Sequence, residues 1–581
     1  MSTLHQYDYL LAIGTIFAFL DAWNIGANDV ANSWATSVGS RSVTYIQAMG
    51  LASVMEFAGS LGVGARVADT IRTKVVDTSL FKETPAMLML GMVCAVTASS
   101  LYLTLATRLG LPVSTTHSIM GGVIGMGIAA VGVDGIQWVA PGTGTAKISS
   151  GVIQVFLAWI IAPGLAGCFG AIIFLVTKFG VMLRKNPVMK ALFLVPVYFA
   201  ITAMLLTMLL LWKGGNYEVK LKDAEIPGTI VGVGAAWGLL VAIFGCPWLY
   251  RKVVRDDWQL GIWHLPLGPL LLRRGDPPEP PADYHGGIKD YYEGHLTKEE
   301  LDERRAHEAG LRVQTDEGAT SGNQDNKINS MDNVSSHDPN EHVPKPHRSM
   351  VGPRPDGRWY SGPVLFWYLK WAIFRGVDQD VVNMQKKRNM LSGDLEAIHA
   401  RAAHYDNRAE YMYSFLQVMT ASTASFTHGA NDIANAIGPY ATIYQIWHSG
   451  AVPSKAQVPT WILAFGGVAL VIGLWTYGYN IMRNLGNRIT LHSPSRGFSM
   501  ELGSVITIVI ATRLKLPIST TQCITGATVG VGLCNGDWRT INWRMVAWIY
   551  GGWIITLPTA GLISGILMGI IINAPRWGFQ G

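Results

Sequence analysis

Charged side chains are scarce over most of this 581-residue sequence. They make up 14% of the whole chain, whereas about 25% is usual in soluble domains. Residues 251–410 hold 47 of the 84 charges, so the other 421 residues hold only 37. So few charges cannot cover a water-soluble surface. This scarcity excludes a soluble multidomain enzyme, a disordered protein and a nucleic-acid-binding protein.

The sequence also lacks cysteine pairs and a basic N-terminal stretch. Its five cysteines lie in or beside apolar runs without a C-x-x-C pair, which indicates small core residues, no disulfide framework and no zinc site. No Lys or Arg precedes Arg41, so the first apolar run is not a signal peptide and is predicted to stay as a membrane span. No cofactor is expected.

Long apolar runs fill the regions that lack charge. A span needs about 20 apolar residues. Seven candidate runs precede the charged segment and five follow it. They are 9–36, 43–65, 86–107, 112–132, 151–177, 188–212 and 227–250, then 411–442, 457–481, 497–513, 516–533 and 544–573.

These runs predict an all-α polytopic membrane protein with about 12 transmembrane segments. Residues 1–250 form an N-terminal membrane half with extra spans, and residues 406–581 form a C-terminal membrane half. Residues 251–405 form a loop between them. The stretch 315–358 is rich in Asn, Asp, Ser, Pro and Gly, so we expect part of this loop to be disordered.

Two motifs occur once in each half, in the same order. The sequence IGANDVAN at 25–32 recurs as HGANDIAN at 428–435, and ATRLGLPVSTT at 106–116 recurs as ATRLKLPISTT at 511–521. The matching order and spacing indicate an internal duplication. With seven spans before the loop, the second copy enters the membrane from the opposite side. The prediction is therefore two inverted-topology repeats with discontinuous helices and a substrate site between them.

The first motif places Asn and Asp in the middle of an apolar run. Burying a carboxylate at that depth costs about 2.5–3.5 kcal/mol on insertion scales. We expect Gly26 and Gly429 to let each helix unwind, so that free carbonyls and the Asn and Asp oxygens coordinate a hard cation. The alternative is an Asn–Asp pair that ties helices together by hydrogen bonds.

The second motif is typical of a helix start. Pro fits the first turn, and Ser and Thr hydroxyls satisfy free N–H groups there. A helix that begins inside the membrane presents its positive end to an anion. The alternative is an ordinary span with a capped N-terminus. Two carboxylates beside two anion-binding helix ends make sense only with cations between them, which favours cation-coupled uptake of a small oxyanion.

The duplicated motifs resemble those of the inorganic phosphate transporter (PiT) family, over residues 9–250 and 405–575. The segment 491–502 is similar to fungal high-affinity sodium-coupled phosphate symporters. The resemblance implies import of inorganic phosphate with sodium as the coupling ion, across the plasma membrane, by alternating access. It also implies extracellular termini and a cytosolic loop.

The resemblance further implies the site residues. The phosphate-binding set is Asn28, Ser114, Thr115, Thr116, Asn431, Ser519, Thr520 and Thr521. The sodium-binding set is Asp29, Asn32, Asp432 and Asn435, with sodium at the two aspartates. Glu56 and Glu501 are the implied coupling carboxylates. Each is an unpaired carboxylate in a nearly uncharged span, and the alternative is a structural carboxyl held by Ser or Trp neighbours.

Basic residues that flank the long loop favour its cytosolic placement. The sequon at Asn333 is then expected to carry no glycan. His117 and His428 each break the repeat, and we interpret both as packed hydrogen-bonding residues rather than proton relays. Proton coupling, sulfate as substrate, a phosphate sensor, a passive channel and an intramembrane enzyme are the competing interpretations. A homodimer also stays open.

Overall fold

The computed structural model describes residues 4–65, 76–139, 151–213, 221–281, 287–307, 350–386, 391–453, 458–514, 516 and 518–574. Helices dominate this part of the chain. The β-type pairing found there is one isolated bridge between Val76 and Ile136. The all-α prediction is therefore confirmed. Asn333 and most of the stretch expected to be disordered lie outside the described residues.

The first half contributes one helix for each of its seven predicted apolar runs. These helices are α1 (Asp8–Gly39), α2 (Tyr45–Val63), α3 (Pro85–Leu109), α4 (Thr115–Val131), α5 (Val152–Thr177), α6 (Pro187–Lys213) and α7 (Ile226–Leu240). Helical turns extend α7 to Val254. Between the halves, the described residues include the shorter helices α8 (Gly362–Phe374), α9 (Val381–Lys386) and α10 (Leu395–Ala400), and residues 298–307 are also helical.

The second half likewise places a helix on each predicted run. These are α11 (Asn407–Ser449), α12 (Thr460–Tyr477) with the short α13 (Tyr479–Leu485), α14 (Pro494–Arg513), α15 (Thr520–Leu533) and α16 (Trp543–Asn573). Across the described residues, eight helices are long and apolar enough to cross a membrane. The count of 12 spans, and the inversion that depends on it, stay predictions.

The expected unwinding at Gly26 and Gly429 is wrong. Both α1 and α11 run as continuous helices through the first motif. The glycines instead allow close packing. A Cβ on Gly26 would lie 2.0 Å from the carbonyl oxygen of Leu470, and one on Gly429 would lie 2.1 Å from that of Glu56. No other residue permits such an approach of two helix backbones. The interruption lies at the second motif, where α3 ends before α4 and α14 ends before α15.

The two halves exchange packing partners. Helix α1 packs on α12 of the second half, while α11 packs on α2 of the first. The motif helices behave alike, since α4 packs on α16 and α15 packs on α5. Gly125 meets Gly561 in the first of these contacts, and Gly530 meets Gly167 in the second. Each half therefore completes the core of the other.

A segment of the long loop docks on the membrane helices where α1 ends and α11 begins. The Glu293 carboxylate lies 2.5 Å from the Arg41 guanidinium, and the Lys289 ammonium donates to the Arg41 carbonyl. The Tyr292 hydroxyl donates to the buried Glu410 carboxylate at 2.8 Å. Burial beside Arg41 lowers the pKa of Lys289. Residues 289–293 thus join an end of each half.

Candidate functional site

The second motif starts a helix in both halves, as predicted. Helix α4 begins at Thr115, and the Ser114 hydroxyl before it accepts a hydrogen bond from the His117 backbone N–H at 3.2 Å. Helix α15 begins at Thr520, directly after the buried Ser519. The free N–H groups and the positive end of each helix dipole lie at these starts.

Each aspartate of the first motif accepts a hydrogen bond from a threonine of its own half. The Thr115 hydroxyl donates to Asp29 Oδ2 at 2.8 Å, and the Thr520 hydroxyl donates to Asp432 Oδ2 at 3.0 Å. Both carboxylates are buried. The Thr521 hydroxyl lies 3.4 Å from Asp29 Oδ1 and so reaches the aspartate of the other half.

The second asparagine of each motif copy bonds across to the threonine pair of the other half. The Asn32 amide donates to the Thr520 and Thr521 hydroxyls at 3.2 and 2.8 Å. The Asn435 amide donates to the Thr115 and Thr116 hydroxyls at 3.2 and 3.1 Å. The structure thereby gathers two aspartates, two asparagines and two helix starts into one cluster. We call these residues the central cluster: Asp29, Asn32, Thr115, Thr116, Asp432, Asn435, Thr520 and Thr521.

His428 lies among three carboxylates. Its Nε2 is 3.6 Å from Asp29 Oδ2 and 3.3 Å from Asp432 Oδ2, and its Nδ1 is 3.2 Å from Glu56 Oε2. The interpretation of His428 as a packed hydrogen-bonding residue did not place it among three carboxylates. The signal was present in the repeat, because His428 stands where the first half has Ile25. His117, by contrast, accepts a hydrogen bond from the Trp159 indole at 3.1 Å.

The cluster has the chemistry of a cation site. One ligand atom each from Asp29, His428 and Asp432 lie within 4.8 Å of one another. Buried carboxylates that face each other require a compensating positive charge. Carboxylate and hydroxyl oxygens are ligands that hard cations prefer. Asp29 and Asp432, with the threonine hydroxyls beside them, are therefore suited to holding a hard cation.

Glu56 belongs to the edge of this cluster and Glu501 does not. Glu56 Oε1 accepts from the Ser425 hydroxyl at 3.1 Å, and Ser425 accepts in turn from the Trp34 indole at 3.1 Å. Glu501 has its own set of donors. They are Thr36 at 2.5 Å, Ser37 at 2.7 Å, Gln417 at 3.2 Å and Thr420 at 2.5 Å. The two predicted coupling carboxylates thus occupy different environments.

The two remaining predicted asparagines differ from each other. Asn28 Oδ1 accepts from the Val113 N–H at 3.1 Å, while its amide donates to the Thr107 hydroxyl and the Leu111 carbonyl, both at 3.1 Å. Asn28 therefore holds the connection that leads into α4. Asn431 is only half-buried. The sequence motif is symmetric at this position, but the surroundings are not.

Sequence reasoning also missed Asp21. This carboxylate lies on α1, two turns before Asp29, and is fully buried. A carboxylate in a largely apolar run is a detectable signal. It lay outside the duplicated motif and was therefore passed over.

Comparison with known proteins gives consistent matches. A model of the phosphate transporter family matches residues 25–564. The phosphate-repressible phosphate permease pho-4 of Neurospora crassa is 69% identical over all of both chains. The sodium-dependent phosphate transporter 2 of Felis catus is 29% identical over 97% of this chain and 98% of its own.

One solved structure, a sodium-dependent phosphate transporter, supports the fold. It matches with a TM-score of 0.63 at 24% identity, over 98% of this chain and 100% of its own. The family model alone covers most of the chain, and it includes both copies of each motif. This chain belongs to the phosphate transporter family, and it is a transporter rather than an enzyme.

Proposed function

We propose that this protein is a sodium-coupled symporter that imports inorganic phosphate across the plasma membrane by alternating access. The observation that carries the proposal is the central cluster, in which two helix starts and two carboxylates from different halves meet. The relatives named for sodium-dependent phosphate transport support both ligands. Helix starts with Ser and Thr hydroxyls suit the phosphate, and the carboxylates suit the sodium.

Coupling follows from the shared hydroxyls. Thr115 and Thr520 donate to Asp29 and Asp432. Sodium that binds these carboxylates replaces the hydroxyls as their partners. The hydroxyls are then free to donate hydrogen bonds to phosphate. Sodium also removes the repulsion between the carboxylates and an anion. Phosphate therefore binds well only when sodium is bound, which is the requirement for symport.

The halves supply the two moving parts. Asn32 and Asn435 bond to threonines of the opposite half, so a shift of one half against the other changes both ends of the site together. Rocking of one repeat against the other around a shared site is the usual route to alternating access in repeat transporters. The extracellular termini, the cytosolic loop and a homodimer belong to this proposal.

Proton coupling is the second candidate, and His428 is the observation that favours it. Its imidazole lies within 3.6 Å of Asp29, Asp432 and Glu56, and histidine is the side chain that titrates near neutral pH. A proton carried on this group would replace a sodium ion.

Radiolabelled phosphate uptake into proteoliposomes distinguishes these functions. We expect uptake to follow an inward sodium gradient, and to collapse when choline replaces sodium even with an inward proton gradient. Uptake that persists in choline with a proton gradient would establish proton coupling instead. Competition by unlabelled sulfate tests the anion, and we expect phosphate alone to compete.

A further inference from the structure

Asp21 is a buried carboxylate that the central cluster does not use. Its side chain has no exposed surface. Apart from the Ser99 hydroxyl on α3, neither carboxylate oxygen has a hydrogen-bond partner among the described residues, and no Lys, Arg or His side chain of those residues forms an ion pair with Asp21. An uncompensated carboxylate inside a membrane helix is costly and marks a functional position by default.

Two further buried oxygens at the interface of α1 and α3 belong to Asn24 and Ser99. Asn24 lies one turn along α1 on the same face. Its amide nitrogen donates to the Leu20 carbonyl at 2.9 Å, the Ser100 carbonyl at 3.2 Å and the Thr104 hydroxyl at 2.9 Å. Three acceptors around the nitrogen fix which end of the amide is oxygen. That oxygen, Asn24 Oδ1, is buried without a partner in the described part of the chain.

Ser99 supplies the remaining oxygen from α3. Its hydroxyl is fully buried and donates to the Asp21 carboxylate, and it has no other hydrogen-bond partner among the described residues. The interface of α1 and α3 thus presents two carboxylate oxygens, an amide oxygen and a hydroxyl. One negative charge with neutral oxygens is a donor set for a monovalent hard cation.

We propose that Asp21, Asn24 and Ser99 form an additional sodium site, separate from the one at Asp29 and Asp432. Eight residues separate Asp21 from Asp29 along a continuous helix, which is about 12 Å. One sodium ion therefore cannot bridge both carboxylates. The proposal rests on sodium-coupled transport and adds a further sodium ion to it.

The duplication supports a single extra site. The positions that match Asp21, Asn24 and Ser99 in the second half are Ala424, Thr427 and Ser504. The second half thus keeps the hydroxyl of Ser504 but lacks the carboxylate. The complete set of ligands exists only in the first half, so it adds one sodium ion rather than two. Ser504, which matches Ser99 but has no carboxylate at the position of Asp21, is the matched control.

The test measures sodium and phosphate flux together. Purified full-length protein in proteoliposomes is supplied with radiolabelled sodium and phosphate, and the flux ratio is compared between wild type and Asp21→Asn. We expect the variant to carry one sodium ion fewer per phosphate, with one charge less per phosphate in the coupled current. An unchanged ratio would overturn the proposal, even if uptake were slower, because a structural role changes rate without changing stoichiometry.

A second measurement does not depend on transport by Asp21→Asn. Sodium is titrated against the melting temperature of the detergent-solubilised protein without phosphate. We expect Ser99→Ala to need about fivefold more sodium for half-maximal stabilisation, as the loss of one ligand of about 1 kcal/mol implies, while Ser504→Ala matches wild type. Equal titrations of Ser99→Ala and wild type would overturn the site.

The outcomes separate this site from the proposed function. Wild-type uptake that ignores sodium would overturn sodium coupling itself. Sodium-coupled wild-type uptake with an unchanged ratio in Asp21→Asn would overturn only the additional site. A variant that changes its pH dependence but keeps its sodium ratio would also overturn it, because Asp21 would then bind a proton.

Discussion

The two copies of the site are alike in the contacts of their second asparagines and their aspartates, and they differ in the charged side chains beside those contacts. Asp29 and Asp432 each accept from a threonine of their own half, and Asn32 and Asn435 each reach the other half. Around them, Ile25 is replaced by His428, and Asp21 by Ala424. We infer that the symmetric part binds the ligands, because rocking halves need equivalent contacts on both sides. The asymmetric charges are then available to set the coupling.

We expect the largest effect, a loss of folded protein, from substitutions that push the closely packed helices apart. The effect should be equal in the two halves. Gly26→Ala and Gly429→Ala each place a Cβ about 2 Å from a backbone carbonyl oxygen, which no side-chain rotation can relieve. We expect little folded protein from either variant by size-exclusion chromatography of detergent extracts. Gly50→Ala is the control, since its Cβ meets nothing within 4 Å. Normal yields of both motif variants would mean that the helices can move apart.

Next in size is the removal of one carboxylate. Asp29→Asn and Asp432→Asn keep the side-chain size and remove the charge that holds a hard cation. Both variants should lose phosphate uptake or need far more sodium for half-maximal uptake, measured in proteoliposomes. Unchanged sodium dependence in both would place the sodium site elsewhere, and unequal effects would show that His428 and Glu56 make the halves inequivalent.

Removal of the hydroxyls tests the anion site. Each Val double variant, Thr115→Val with Thr116→Val and Thr520→Val with Thr521→Val, keeps the shape and deletes two donors. Two lost hydrogen bonds of about 1 kcal/mol each predict roughly 30-fold weaker phosphate affinity. Isothermal titration with phosphate at saturating sodium measures the change. Wild-type affinity in both double variants would contradict phosphate binding at the helix starts.

The smallest expected effect concerns Asn28 and Asn431, which occupy the same position in the two copies of the first motif. Asn28→Ala removes three hydrogen bonds that hold the connection between α3 and α4, so we expect a loss of about 1–3 kcal/mol of stability. Asn431→Ala changes a half-buried side chain and should cost less. Melting temperatures in detergent compare them. Equal losses would show that the half-exposed asparagine holds its own connection just as firmly.

Much of this architecture could be predicted from the sequence. Every apolar run became a helix, and both Ser-Thr-Thr motifs began one, because hydrophobic length and helix capping are local properties. The crossed bonds of Asn32 and Asn435 could not be predicted, since they join residues more than 300 positions apart. The unwinding expected at Gly26 and Gly429 does not occur, because these glycines make room for the backbone of a neighbouring helix that is distant in sequence. The different surroundings of Glu56 and Glu501 also depend on contacts between residues that are distant in sequence.

The exchange of packing partners has a consequence for how the protein is made. Asn32 and Thr520 are 488 residues apart, so at 5–20 residues per second the ribosome needs roughly 25–100 s to supply the partner. During that interval Asn32 and Asp29 on α1 lack the Thr520 and Thr521 hydroxyls that contact them in the folded protein. We therefore expect these polar side chains to stay hydrated, or to be covered by an insertion factor, until the second half is made.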